Sequence, residues 1–215
     1  MRMNPGARRL ALTAHVTASV GWLGAVGAFL ALAIVGLTSR DPSIVRSSYL
    51  AMDVTGWYVI VPLSLASLWT GVLQSLGTEW GLFRHYWVLV KFLLTVVATV
   101  LLLVHMQPTG RVASAAAEAV LSSSDLRGLR VQLLADAVGA LAVLLVATAL
   151  SIYKPWGLTE HGRLKQSEKH PAATQRLAAQ SAPWGKYILI GLVVLVAAVL
   201  MVHLFGGGMH QHSGS

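Results

Sequence analysis

The 215-residue sequence contains no cysteine. Disulfides, thiolate metal sites and cysteine nucleophiles are therefore excluded. Charge is scarce as well: charged residues make up 11% of the chain, against about 25% in an average soluble domain. Acidic residues are the rarer kind, 8 against 16 lysines and arginines, which leaves a net charge of +8. Outside its apolar runs the chain has no basic module interleaved with aromatics. The positive balance therefore reads as the basic face of a membrane protein, and no nucleic-acid partner is expected. Familiar catalytic signatures are missing too. There is no HExxH helix, nucleophile elbow, P-loop, nucleotide-binding glycine motif or internal repeat.

What the chain has in abundance is apolar length. Its hydrophobic fraction is 55% and its mean hydropathy is +0.67. Runs of eighteen or more apolar residues recur, each long enough to cross about 30 Å of hydrocarbon. The expected fold is all-α, a polytopic membrane helical bundle forming a single transmembrane domain over residues 1–215. Five spans are read at about 10–37, 54–76, 86–106, 131–153 and 187–205. The first run is too long for a signal-peptide core, so it is read as a retained helix. Residues 38–53 read as a polar connection with Asp41-Pro42 as a turn signal. Pro62 lies inside the second span and predicts a kink. Residues 107–121 read as a loop with a small alanine-rich surface helix, and Ser124 or Asp125 as the N-cap of the fourth span. Residues 154–186 form the one long hydrophilic loop, and 206–215 read as a flexible tail.

Five spans put the termini on opposite sides. With the N-terminus inside, eleven basic residues fall on the inner segments: Arg2, Arg8, Arg9, Arg84, Lys91, Lys154, Arg163, Lys165, Lys169, Arg176 and Lys186. Five fall on the outer ones: Arg40, Arg46, Arg111, Arg127 and Arg130. The excess of inner positive charge favours N-in, C-out. It makes 154–186 a cytoplasmic loop and 206–215 an extracytoplasmic tail. A multi-pass plasma-membrane protein surrounded by lipid is the expectation; a second copy or another membrane protein as partner is left open.

This topology sorts the intramembrane polar residues into two layers. Lys91 and His105 are fourteen residues apart, which places them about 40° apart around one helix and about 21 Å apart along it. Near the inner face lie His15, Gln74 and Lys91. His15, Ser19 and Trp22 share a helix face, and His15 and Lys91 sit at one depth on helices that run in the same direction. This makes them candidates to approach each other as a catalytic or cofactor site, with Trp22 beside them. The alternative is that Lys91 reaches for the headgroups, His15 bonds a carbonyl and Trp22 only packs.

Near the outer face lie Asp53, His105, Met106, Asp136 and His203, with Met209, His210 and His212 following in the tail. Imidazoles suit haem iron, copper or zinc, and methionine sulfur adds affinity for Cu(I). Asp136 sits inside an apolar run, where its partner is His105, His203, Arg130 or a bound cation. The alternative is a structural pair that fixes helix packing. His15 and His105 are at opposite ends of parallel helices and should not share one iron, whereas His105 and His203 end helices at one face. Gly21, Gly24, Ala25, Gly27, Ala28 and Ala31 give the first helix a small-residue packing surface.

The segments LTAHVTASVGWLGAVGAFLALAIVGL (Leu12 to Leu37) and GLFRHYWVLVKFLLTVVATVLLLVHMQP (Gly81 to Pro108) resemble an uncharacterised group of actinobacterial integral membrane proteins. More distantly they are similar to the copper-resistance D family and to the HemJ type of protoporphyrinogen oxidase. The matching positions are His15, Trp22, Gly24, Trp87, Lys91 and His105. The HemJ resemblance implies haem b, with His15 and Lys91 as the residues on which activity depends. The copper-resistance D resemblance implies copper handling at the outer face. The chain departs from both in its fifth span, its sizeable inner loop and its Met-His tail. The function expected is therefore a membrane haem- or metal-binding protein with a redox or electron-transfer role. Copper or other cation handling without haem is one alternative, and a structural or accessory subunit is the other.

Overall fold

A computed structural model describes residues 3–77, 86–118 and 124–153. These residues are all-α. Helix α1 is Pro5–Thr38, α2 is Pro42–Thr55, α3 is Val61–Gly77, α4 is Tyr86–Ala117 and α5 is Ser124–Tyr153. A π turn over Gly56–Ile60 joins α2 to α3 without a break, so five helices make four rods. All four are long and apolar enough to cross a membrane. Large apolar side chains such as Leu10, Val20, Trp69 and Ile152 stand on the outside of the bundle, as expected where lipid covers what protein does not.

The rods form a four-membered ring. Helix α1 packs on α2 and α3 and on α5, and α4 packs on the same neighbours. α1 and α4 thus stand diagonally, and a group reaching from one to the other crosses the bundle interior. The core between them is apolar and centred on Trp22, Val26, Phe29, Tyr49, Met52, Ile60 and Leu133.

Two helix bounds differ from the sequence expectation. Residues 42–53 are helical where a polar connection is expected. Asp41 is the N-cap, its Oδ1 accepting from the Ser43 N–H at 2.8 Å, and Pro42 occupies the first helical position. The Asp-Pro pair thus starts a helix, as a capping residue followed by proline does. Ser47 and Ser48 turn their hydroxyls back onto the Ser43 and Ile44 carbonyls, which lets a serine-rich helix bury Val45, Tyr49 and Met52. The second difference is α4, which runs through Pro108 to Ala117 where a loop is expected from Gln107. Pro108 leaves one carbonyl without its amide donor. Just beside that break, Thr109 Oγ1 donates to the His105 carbonyl at 3.0 Å. Burial of Val112, Ala113 and Ala116 holds the extension on the bundle.

Pro62 does not break its rod either. Its missing N–H and its ring both conflict with an ordinary α turn just before it. The π turn over Gly56–Ile60 occupies that place, widening the coil and shifting the register so that the Val61 N–H donates to the Gly56 carbonyl. A Cβ on Gly56 would lie 2.7 Å from the Met106 sulfur and 2.6 Å from its methyl carbon. Glycine here lets α4 seat Met106 directly on the turn. The fifth span at 187–205, the loop at 154–186 and the tail at 206–215 lie outside the described residues.

Candidate functional site

Three polar groups interrupt the apolar interior. The first is at the bundle end that carries the start of α1. His15 on α1 lies against α3, where its Nδ1 is 3.0 Å from the Ser67 carbonyl and 3.2 Å from Thr70 Oγ1. A carbonyl only accepts, so Nδ1 carries the proton and donates to it. Thr70 Oγ1 donates in turn to the Ala66 carbonyl at 2.6 Å. Beside this, the hydroxyls of Ser19 and Ser67 are 2.8 Å apart. One turn toward the bundle end, Gln74 Nε2 donates to the Ala11 carbonyl at 2.8 Å. The ring fits because α3 has Gly71 at the contact: a Cβ there would be 3.2 Å from His15 Cε1.

With Nδ1 committed, the other nitrogen of a neutral ring is an acceptor. His15 Nε2 faces Lys91 Nζ of α4 at 3.4 Å. The two residues that the sequence places at one depth are thus brought together across the diagonal of the ring. The contact is unfavourable only when both groups hold all the protons they can, two cations with no acceptor between them. Otherwise the lysine, as ammonium or amine, donates to a neutral imidazole, or an imidazolium donates to a neutral amine. Among the described residues no carboxylate pairs with either side chain. Trp22, expected next to this pair, is 3% exposed and belongs to the apolar core two turns deeper.

The second group is at the other end. His105 on α4 and Asp136 on α5 meet with 2.9 Å between Nδ1 and Oδ2. Of the partners expected for Asp136, the imidazole of His105 is therefore one that it meets. Met106 is 2% exposed, with its sulfur against Gly56. Asp53 lies beside Gly110 of α4, and its buried Oδ1 has no hydrogen-bond partner among the described residues. No three histidine, aspartate or glutamate side chains gather closely enough to hold a metal ion among the described residues. His203, Met209, His210 and His212 lie outside them.

The third group was not anticipated. Arg130 of α5 donates through Nε to the Tyr49 hydroxyl at 2.7 Å and through Nη2 to the Gly36 carbonyl at 2.5 Å. Its guanidinium carbon is also 5.3 Å from the centre of the Tyr49 ring. A Cβ on Gly36 would stand 2.8 Å from Tyr49 Cζ, so glycine at the end of α1 is what admits the tyrosine. One arginine thereby ties α1, α2 and α5 together.

Comparison with protein-family models, curated proteins and solved structures gave no match. What the sites can do must follow from their own chemistry. Ser67, Thr70 and Gly71 were missed as partners of His15. Their signal was present as a run of small and hydroxyl residues at i, i+3, i+4 and, with Gln74, i+7, one face of an otherwise apolar span.

Proposed function

We propose that this chain is a multi-pass plasma-membrane protein, N-terminus inside, in which His15 is the ligand imidazole of a haem or metal centre with a redox role. One observation carries the reading. His15 has Nδ1–H fixed on a backbone carbonyl and presents Nε2, the outer-shell arrangement that orients metal-binding histidines and sets their tautomer. The donor set suits a centre with a single protein imidazole. His105, the other described imidazole within a span, belongs to the far end of α4, about 21 Å along the helix, so the two cannot clasp one iron.

A haem or metal held at Nε2 would supply one-electron exchange. This chain's own residues do the rest. Ser67 and Thr70 hold the ring, Gly71 gives it room, and Lys91 holds or yields a proton at Nζ as charge at the ligand changes. A metal at Nε2 would take the position that Lys91 Nζ now faces.

An absorption spectrum and metal analysis of detergent-purified protein test this. A Soret band or stoichiometric metal that disappears in His15→Ala supports it; colourless, metal-free protein of full stability would sink it. Orientation is open to a direct test, because a chain without cysteine gives no background labelling. Asn4→Cys should react with an impermeant thiol reagent only from the inside, and Ser39→Cys only from the outside.

The second reading, a structural or accessory subunit, draws support from the Arg130 contacts, which tie three helices together without any ligand. Copper handling rests on His203 and the Met-His tail, together with His105 and Asp136. Deleting Met209 to Ser215 should weaken metal binding on that reading, and leave a His15-centred haem unaffected.

A further inference from the structure

Lys91 has more hydrogen-bonding capacity than the bundle uses. An ammonium has three N–H donors, and among the described residues Nζ has one partner, His15 Nε2 at 3.4 Å. The hydroxyl one turn away does not help, since Thr95 Oγ1 donates to the Lys91 carbonyl at 2.8 Å. Nor does an anion: the described carboxylate paired within the spans, Asp136, meets His105 at the far end. Around His15, the Ser67 hydroxyl pairs with Ser19, Thr70 Oγ1 donates to the Ala66 carbonyl and Gln74 Nε2 donates to the Ala11 carbonyl. Lys91 is only partly buried.

A charge this far into an apolar span ordinarily faces an opposite charge or water. Here the facing protein group is a base, which shares a proton but supplies no negative charge. An anion with oxygen acceptors for two N–H groups would complete the site.

We propose that Lys91, backed by His15, is the binding site for the anionic oxygen head of an amphiphile, a carboxylate or a phosphodiester. His15 acts as the positioning residue: Nε2 accepts one ammonium proton and turns the other two outward toward the ligand. The apolar tail of the ligand lies along the lipid-facing side of the bundle. The site is that of the metal-free protein, since the one Nε2 lone pair cannot serve Lys91 and a metal at once, and it is tested in that form.

The test is native mass spectrometry of the full chain released from uncharged detergent micelles. Sodium laurate and phosphatidylglycerol are the charged probes, and methyl laurate is the neutral control of the same tail. The expected result is one retained molecule of laurate or phosphatidylglycerol, held about tenfold or more tighter than the ester, the ratio that a modest charge pair gives. Retention of laurate alone identifies a free carboxylate amphiphile, and retention of phosphatidylglycerol alone a lipid headgroup; either supports the anion site. Lys91→Arg should keep the preference and Lys91→Gln should abolish it. Equal retention of acid and ester by the wild-type protein overturns the proposal whether or not the variants fold. So does a folded Lys91→Gln that keeps the preference.

Discussion

The two ends of the bundle hold the same kind of residue in opposite electrostatic company. At the far end His105 meets an anion, Asp136, and a neighbouring cation, Arg130, is absorbed by a tyrosine hydroxyl, a carbonyl and an aromatic ring. At the near end His15 meets another base, Lys91. An imidazole that meets a carboxylate has an acceptor for its N–H and stays where packing puts it. An imidazole beside an amine competes with it for a proton, and the pair is left with unused donors. Between the two, the interior is filled by Trp22, Val26, Phe29 and Ile60, and Leu102 packs against that layer from α4. The ends are insulated from each other. The far end is built as a fastening, and the near end carries the proposed binding site.

If that contrast holds, the largest losses of stability come from the fastening. Gly36→Val places a branched side chain where even a Cβ would stand 2.8 Å from Tyr49 Cζ. Tyr49 is 1% exposed and cannot yield without releasing Arg130. A loss of about 3 kcal/mol is expected, the upper range for overpacking, measured by denaturation in detergent. Gly24→Ala is the control. No described atom lies within 4 Å of a Cβ there, and its effect should stay within about 0.5 kcal/mol. Equal effects at the two glycines would remove the fastening from the comparison.

The same contrast explains what was legible beforehand. Four of the spans, the separation of His15 and Lys91 from His105 and Asp136, and the approach of His15 to Lys91 follow from hydrophobic length and helix spacing, which depend on few distant contacts. The Tyr49–Arg130 fastening was hidden because residues 42–53 are polar enough to pass for a loop. Serines Ser47 and Ser48 satisfy their own hydroxyls on the preceding turn, so their polarity did not prevent burial of the opposite face. The extension of α4 past Pro108 was hidden for a related reason. Proline counts as a stop only when nothing beyond it packs, and Val112, Ala113 and Ala116 do pack. The π turn has no local signature except Gly56 six residues ahead of Pro62, and it becomes intelligible only once Met106 is seen resting on it.

Smaller effects sharpen the comparison pair by pair. Removing one partner of a wholly buried ion pair costs about 3–5 kcal/mol. The Asp136 side chain is 26% exposed, so Asp136→Ala or His105→Ala should each cost less, about 2 kcal/mol. The double variant should cost less than the sum of the two, because neither side chain is then left without its partner. Additive losses would mean that the contact contributes nothing as a pair. His15→Gln at the near end should cost less again, about 0.6 kcal/mol, the average for a polar contact within a membrane bundle. Its effect belongs to ligand or cofactor binding, read from an absorption spectrum and from retention of laurate. A loss of stability at His15 as large as at Asp136 would make both ends fastenings.

The smallest effect concerns how the far end begins. Asp41 is exposed, and the Ser43 hydroxyl and N–H donating to its carboxylate hold its pKa below the ordinary value. Folding therefore favours the ionised form. Its contribution to stability is complete above the unfolded value of about 3.9 and disappears as pH falls through the lower folded value. Asparagine caps a helix about as well as aspartate and has no proton to lose. Asp41→Asn should therefore match the wild type at pH 7, while the modest fall in stability that the wild type shows below about pH 4 becomes shallower in the variant. The measurement is the difference between the two unfolding midpoints across pH 3 to 7 in one detergent, which cancels every carboxylate they share. A difference that stays constant over that range would mean that Asp41 does not begin α2 by its charge. The helix bearing Tyr49 would then be held at its start by Pro42 and by packing alone.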